Sequence, residues 1–181
     1  MGKAIVLLAE GFEEIEAITV VDVLRRLDIV CDTCSIHERE VQGAHRTVVQ
    51  ADVLFDDVDF QDYQTVILPG GMPGAQHLKE DKRVIALISD FYAAGKLVAA
   101  ICAAPIVFKE AGITAGKTLT SYPGFRDEFA DSHYVDDRVV QDGNLITSRG
   151  PATAMAFAFR IAENMTDAGR VEMVQNAMLA E

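Results

Sequence analysis

Short apolar runs alternate with amphipathic segments along most of the chain. KAIVLLA (3–9) is continuously apolar, which is typical of a strand buried on both faces of a parallel sheet. EEIEAITVVDVLRRL (13–27) begins with acidic residues and has arginines near its end, which predicts a helix with charges that complement its dipole. Its apolar flank is expected to contain Ile15, Ile18, Val21, Leu24 and Leu27.

The alternation of strand and helix continues after this first pair. Further strands are predicted at 29–36, 65–71 and 96–102, and further helices at 81–95, 104–112 and 151–165. This order predicts an α/β fold, a flavodoxin-like, doubly wound and mostly parallel sheet between layers of helices. Residues 41–55 predict a small inserted antiparallel hairpin, and Asp142-Gly143 between two apolar runs predicts another.

Composition narrows the class of protein. With 181 residues, half of them apolar, the chain is expected to form a single domain over 1–181. The net charge of -12 repels phosphate backbones and anionic membranes, so neither a nucleic acid nor a membrane is the expected partner. The first residues resemble neither a signal peptide nor a membrane span, which predicts a cytoplasmic protein.

The chain has three cysteines, at positions 31, 34 and 102. In a reducing compartment they are expected to be free thiols. Cys31 and Cys34 have C-x-x-C spacing, but residues three apart on a strand point to opposite faces, so a redox pair is not expected. We expect one of them to pack in the core and the other to be partly exposed.

Cys102 lies in AAICAAP (99–105), where a predicted strand gives way to a predicted helix. The carboxyl ends of parallel strands carry the working site of such folds, and a helix N-terminus favours a thiolate. The turn parallels the nucleophile elbow of hydrolases, with small neighbours and Pro105 in the first helical turn. A buried cysteine that only fills space explains this stretch equally well.

Two other stretches are expected at the same sheet edge. LPGGMPGA (68–75) is a Gly-Gly turn whose backbone N–H groups can approach a ligand closely. GFEEIEAI (11–18) brings three acidic residues to the start of the first helix. For two of these three, complementation of the helix dipole by solvated carboxylates is a sufficient explanation.

Taken in order, GFEEIEA, LPGGMPGA, AAICAAP and TSRGPATAMAF resemble the DJ-1/ThiJ/PfpI superfamily, in particular its DJ-1 and YajL-like branch, over nearly the whole chain. The resemblance implies that Cys102 is the reactive cysteine and that Glu16 is a buried carboxyl bonded to its sulfur. Such an acid with a raised pKa would stay protonated and stabilise the thiolate. It also implies oxyanion-binding groups at Gly70, Gly71 and Ala103, a site edge formed by Tyr122, Gly150 and Pro151, and a homodimer edge at Arg26 and Arg46.

The sequence departs from the superfamily's pattern at two positions. Many PfpI-type relatives have histidine after the nucleophile, where this chain has Ala103, so a protease triad is not expected. Animal members have histidine where this chain has Tyr122, and a phenol does not shuttle protons near neutral pH.

No cofactor is expected. Histidines 37, 45, 77 and 133 are expected in loops or surface turns without metal-ligand spacing, and G-x-G-x-x-G is absent.

Two functions follow from the resemblance. The first is a glutathione-independent glyoxalase or deglycase, a lyase or hydrolase in which Cys102 attacks reactive carbonyls such as methylglyoxal or early glyoxal adducts. The second is a sensor of oxidative stress, or a redox-regulated chaperone, that acts through oxidation of Cys102. The glycine-rich cradle favours the first function, and Tyr122 in place of histidine favours the second.

Overall fold

The computed structural model describes residues 2–180 and is built on a seven-stranded sheet. The strands of this sheet are β1 (Lys3–Leu8), β2 (Cys31–Ser35), β5 (Val53–Leu54), β6 (Tyr63–Leu68), β7 (Leu97–Ile101), β10 (Val139–Asp142) and β11 (Leu145–Ser148). Their order in the sheet is β10-β11-β7-β6-β1-β2-β5. All neighbouring strands are parallel except β10, which runs antiparallel to β11 at one edge. The prediction of a mostly parallel α/β sheet between helices is confirmed.

Helices cover both faces of the sheet. One face packs against α1 (Glu14–Arg26), α5 (Ala154–Glu163) and α6 (Ala168–Ala177). The other face packs against α2 (Gly74–Glu80), α3 (Lys82–Ala93) and α4 (Pro105–Glu110). Each face has its own apolar cluster, which explains why the central strands are apolar at nearly every position. Between residues 2 and 180, no helix is both long and apolar enough to cross a membrane.

Helix α1 buries a face that differs in part from the predicted one. Its buried residues are Glu16, Ala17, Val20, Val21, Val23 and Leu24. Ile15 and Ile18 are 56% and 42% exposed, so their predicted place on the buried flank is wrong. The buried face of α1 carries Glu16, Val20 and Leu24, which lie one above the other at a spacing of four residues. The carboxyl of Glu16 is therefore turned inward.

The segment between β2 and β6 differs in part from its prediction. A hairpin does form, from β3 (Glu40–Gln42) and β4 (Val48–Gln50), as a separate two-stranded sheet. The end of the predicted segment, β5, instead joins the main sheet parallel to β2. The hairpin at Asp142-Gly143 is confirmed, with β10 and β11 joined by Gly143 and Asn144.

Two α-helices and one pair of strands were not predicted. These are α2, α6 and the small parallel pair β8 (Thr118–Leu119) and β9 (His133–Tyr134). They are short or weakly apolar, so they form where tertiary packing supports them rather than from pattern alone. Residues 151–165 begin as a 3₁₀ turn at Pro151–Thr153 before α5 starts.

The sheet has one place where the direction of winding reverses. From β1 the chain adds β2 and then β5 on one side, and it then crosses back to add β6 on the other side. In doubly wound sheets a crevice opens outside the carboxyl ends of the strands at this point. The turns after β1 and β6 therefore face one another at this edge, with the turn after β7 beside them.

Candidate active site

Cys102 occupies a constrained turn directly after β7. Its φ angle is +64°, in the left-handed region that non-glycine residues rarely adopt. Two backbone hydrogen bonds hold this conformation: the Cys102 N–H donates to the Ser148 carbonyl at 3.0 Å, and the Tyr122 N–H donates to the Cys102 carbonyl at 2.8 Å. The predicted elbow is therefore present, and Cys102 alone among the three cysteines is partly exposed.

The turn after β6 packs directly on this cysteine. A Cβ built on Gly70 would lie 2.6 Å from Cys102 Cβ and 2.8 Å from Glu16 Oε2. No side chain fits in that space, so glycine at position 70 is what allows the cysteine and the acid to approach each other. The alanines on either side of Cys102, at positions 100, 103 and 104, are buried, which agrees with the crowding expected from the sequence.

Glu16 is completely buried beside this turn. Its Oε2 accepts a 2.7 Å hydrogen bond from the Gly70 N–H, whereas its Oε1 is buried without a hydrogen-bond partner in the described part of the chain. Burial raises the pKa of Glu16 to about 7, although the bond from Gly70 and the nearby Cys102 side chain oppose the rise. The unpaired Oε1 of Glu16 is therefore the atom that can carry a proton.

The environment of the Cys102 thiol differs from the expectation. Burial, and the charge of Glu16 when that carboxyl is ionised, raise the pKa of Cys102 to about 12, and the N–H groups of Ala103 and Gly71 only partly oppose this. The prediction of a depressed thiol pKa is therefore wrong for the resting site.

Cys102 and Glu16 are best described as a coupled pair. When Glu16 is ionised, its charge opposes a second negative charge on the sulfur. When a proton moves from sulfur to the carboxyl, Oε1 gains a bonded hydrogen and the repulsion disappears. With a carboxyl pKa of about 7 and a thiol pKa of about 12, the pair passes from two protons to one as pH rises through neutrality, and the position of the remaining proton decides whether the sulfur is nucleophilic.

The predicted oxyanion-binding groups divide into two sets. The N–H groups of Gly71 and Ala103 act on the Cys102 side chain. The Gly70 N–H is committed to Glu16, so it does not serve as a free donor. Two backbone donors therefore remain beside the sulfur for a developing negative charge.

Tyr122 and the loop after β11 form the rim. Tyr122 is 49% exposed, and a Cβ built on Gly150 would lie 3.7 Å from its ring, an ordinary contact distance. The Gly150 N–H donates to Thr153 Oγ1 at 3.1 Å, and the Thr153 hydroxyl donates to the Gly150 carbonyl at 2.9 Å. These bonds fix Gly150, which directly precedes the 3₁₀ turn that starts at Pro151, beside the tyrosine.

The two arginines lie elsewhere in the isolated chain. Arg26 is in the last turn of α1, the end opposite Glu16, and its Nε donates to Asp22 at 2.6 Å. Arg46 lies in the turn of the β3–β4 hairpin with a φ of +71°. Their predicted role at a homodimer edge stays a prediction.

Cys31 and Cys34 are both buried, on opposite faces of the sheet. The prediction that they do not form a redox pair on one face is confirmed by this placement. The expectation that one of them is partly exposed is wrong, because helices cover both faces at this strand. Burial raises the pKa of each thiol to about 12.

The histidines are placed partly as expected. His37 and His45 lie in loops, whereas His77 is in α2 and His133 is in β9. His45 reaches Glu13 and Glu14, so these three residues form a cluster with potential metal ligands. Sequence spacing did not indicate this cluster, because more than thirty positions of chain separate His45 from the acids.

Comparison with known proteins places this architecture in a family. The model of the DJ-1/PfpI family matches residues 2–164. Protein dj-1beta of Drosophila melanogaster is 41% identical over 180 residues, covering 98% of this chain and 96% of the relative. The crystal structure of Drosophila melanogaster DJ-1beta superposes on this chain with a TM-score of 0.96 and is 39% identical to it, with full coverage of both chains.

A second relative carries an activity in its name. Deglycase PH1704 of Pyrococcus horikoshii is 31% identical over 157 residues, covering 86% of this chain and 94% of the relative. With the strained cysteine, the buried acid and the glycine turn in one place, and with these matches along nearly its whole length, this chain belongs to the DJ-1/PfpI family.

Proposed function

We propose that this protein is a cysteine-dependent glyoxalase or deglycase that acts on methylglyoxal or on early glyoxal adducts. The observation that carries the proposal is the pairing of a strained, partly exposed cysteine with a buried acid whose pKa is raised to about 7. A base with a pKa near the working pH is the most effective proton acceptor. The deglycase name of one relative supports the same chemistry.

In the first step the sulfur of Cys102 attacks the aldehyde carbon. A C–S bond forms, the thiol proton moves to Glu16, and the carbonyl electron pair moves onto oxygen. The N–H groups of Gly71 and Ala103, which already act on the sulfur, are the donors nearest to this developing charge. Return of the proton from Glu16 to that oxygen completes a hemithioacetal.

In the second step Glu16, ionised again, takes the hydrogen from the former aldehyde carbon as a proton. The electron pair left behind forms a carbon–carbon double bond, and the neighbouring keto oxygen takes the charge. Glu16 returns this proton to the former keto carbon, and the hydroxyl proton on the sulfur-bearing carbon passes to the charged oxygen, so that a carbonyl forms next to sulfur and the product is a thioester of a hydroxy acid. Water then cleaves the C–S bond, so the net reaction adds one water to methylglyoxal and regenerates the thiol.

The test compares three proteins with methylglyoxal as substrate. Wild type should form the hydroxy acid, and Cys102→Ser should lose the activity. Glu16→Gln, which keeps the shape and an acceptor for the Gly70 N–H, should fall by about 10²–10⁴-fold, as expected for loss of a proton-transfer group. The exposed Glu128→Gln is the matched control and should retain the wild-type rate. A wild-type rate equal to that of Cys102→Ser would end the proposal.

A second candidate function is a sensor of oxidants. It is favoured by the exposure pattern, since Cys102 is partly exposed while the other two cysteines are buried. A peroxide would transfer one oxygen to the sulfur and leave as water, giving a sulfenic acid. The same two N–H groups would then bind the added oxygen. Chaperone activity under control of this oxidation is part of the same candidate.

A homodimer is proposed on a separate observation. Ile15, Ile18 and Met155 are exposed apolar side chains that line one surface depression of about 440 Å³. Exposed apolar side chains gathered in one place are typical of a surface that another chain covers. The three free thiols support the proposed cytoplasmic location. Small reactive carbonyls are the proposed substrates, and no cofactor takes part in the proposed steps.

A further inference from the structure

The left-handed conformation of Cys102 depends on contacts made by its neighbours. A φ of +64° costs free energy in a residue with a side chain, and it persists only where the surrounding structure enforces it. One of the enforcing contacts is the bond from the Cys102 N–H to the Ser148 carbonyl at 3.0 Å. Ser148 is the last residue of β11 and is completely buried. The position of its carbonyl therefore helps to set the direction of the Cys102 side chain.

The hydroxyl of Ser148 connects two further segments. It donates to the carbonyl of Arg138, directly before β10, at 2.6 Å, and it lies 2.6 Å from Thr153 Oγ1. Either hydroxyl can be the donor in the second contact, and in both cases the bond joins the end of β11 to the 3₁₀ turn. Hydrogen bonds that are shielded from water hold their geometry more strongly than those on the surface.

Thr153 contacts both ends of the short loop between β11 and the 3₁₀ turn. Its Oγ1 accepts the Gly150 N–H at 3.1 Å and lies 2.9 Å from the Gly150 carbonyl, in addition to its contact with Ser148. One side-chain oxygen thus fixes Gly150 at the rim of the site and Ser148 behind Cys102. Loss of that oxygen would release both residues together, because a buried polar group without its partner favours a rearranged backbone.

We propose that Ser148 and Thr153 are positioning residues for the sulfur of Cys102. Their hydroxyls fix the Ser148 carbonyl, this carbonyl holds the Cys102 N–H, and the resulting backbone conformation keeps the sulfur beside Glu16. The two side chains act through the backbone and take no part in bond making or breaking. The inference rests on the proposed function, since it concerns the same sulfur, but the position of the sulfur is tested without methylglyoxal.

The test replaces the Thr153 hydroxyl by a methyl group of similar size. Thr153→Val removes the oxygen and Thr153→Ser keeps it, and iodoacetamide alkylation of Cys102 is followed in both variants and in wild type. The wild-type rate should rise as pH passes about 7, because ionised Glu16 accepts the thiol proton. Thr153→Val should lose up to about 10²-fold in rate, as expected for a displaced reacting group, and its rise near pH 7 should be weaker. Thr153→Ser should keep the wild-type rate and pH profile.

Thr166→Val is the matched control. Thr166 is also half-buried, but it follows the opposite end of α5, so its alkylation rate should equal that of wild type. Circular dichroism checks that each variant is folded, and Ser148→Ala, which removes the other hydroxyl of the same bond, replaces Thr153→Val if that variant does not fold. The proposal is overturned if the variant without the hydroxyl has the wild-type rate and pH profile. It is also overturned if Thr153→Ser or Thr166→Val loses as much rate as Thr153→Val.

The two proposals can fail separately. A wild type that forms no hydroxy acid from methylglyoxal, together with slow alkylation of Thr153→Val, would end the proposed function and support the positioning role. Hydroxy-acid formation by wild type, together with normal alkylation of Thr153→Val, would support the proposed function and end the positioning role.

Discussion

Gly70 donates its backbone N–H to Oε2 of Glu16 at 2.7 Å, and this bond connects the turn after β6 to helix α1 across the point where the winding of the sheet reverses. The bond stabilises a buried carboxyl that water cannot reach. It also places the acid directly against the cysteine, since the absent Cβ of Gly70 is the space that both side chains border.

Substitution of Gly70 by alanine should therefore damage the site. The added Cβ would meet Cys102 Cβ at 2.6 Å, Glu16 Oε2 at 2.8 Å and the Ile101 carbonyl at 2.9 Å. Overpacking of this kind destabilises a core by about 1–3 kcal/mol, which urea denaturation measures. Gly124→Ala is the control, because its Cβ would make only contacts of 3.6 Å or more. Equal stability of Gly70→Ala and wild type would show that the turn is not rigid.

Folding should be linked to pH through Glu16. Its pKa rises from 4.5 to about 7 in the folded chain, so between these values the folded protein holds a proton that the unfolded chain has lost. The free energy of unfolding should fall as pH rises through this window, by up to about 3 kcal/mol.

The measurement is urea denaturation across that window in buffer with EDTA, which keeps metal ions out of the comparison. Glu16→Gln cannot titrate, so its stability should show a flatter pH dependence than that of wild type. Parallel curves for the two proteins would contradict a buried acid with a raised pKa.

Oxidation should be confined to one cysteine. Mild peroxide should add oxygen at Cys102, because this cysteine is partly exposed and has Glu16 beside it to accept the thiol proton, whereas Cys31 and Cys34 are buried. Intact-mass measurement followed by peptide mapping locates the oxygen. Cys102→Ser should carry no added oxygen on its remaining cysteines under the same conditions. Comparable uptake at Cys31 or Cys34 would remove the sensor candidate.

Substitution of Tyr122 by histidine should change the rate of hydroxy-acid formation. It is half exposed at the rim, and its backbone N–H already bonds to the Cys102 carbonyl. Tyr122→His would supply an imidazole that exchanges protons near neutral pH, and hydroxy-acid formation should increase by up to about 10²-fold. Tyr122→Phe should leave the rate unchanged, since the phenol has no assigned proton-transfer step. A strong loss in Tyr122→Phe would show that the hydroxyl itself takes part.

The pattern of neighbouring residues in the sequence was enough to predict much of this protein's secondary structure. Continuous apolar runs marked the central strands because a parallel sheet covered on both faces requires them, and Asp142-Gly143 marked a hairpin because glycine accepts the left-handed φ of a tight turn. The position of Cys102 after a strand and before Pro105 indicated an elbow, but that stretch alone fitted a buried space-filling cysteine equally well, and the other motifs were needed to favour the elbow. These features depend on neighbours along the chain.

Only the tertiary structure decided the chemistry at that elbow. Whether Cys102 is acidic depends on burial and on a carboxyl 86 positions earlier in the chain, and those two influences outweigh the N–H groups of Gly71 and Ala103. The rotation of α1 that buries Glu16 and exposes Ile15 was likewise decided by packing, because both faces of the helix carry apolar residues. The contact of His45 with Glu13 and Glu14 joins two distant segments, and no spacing rule along the chain describes a distance set by the fold.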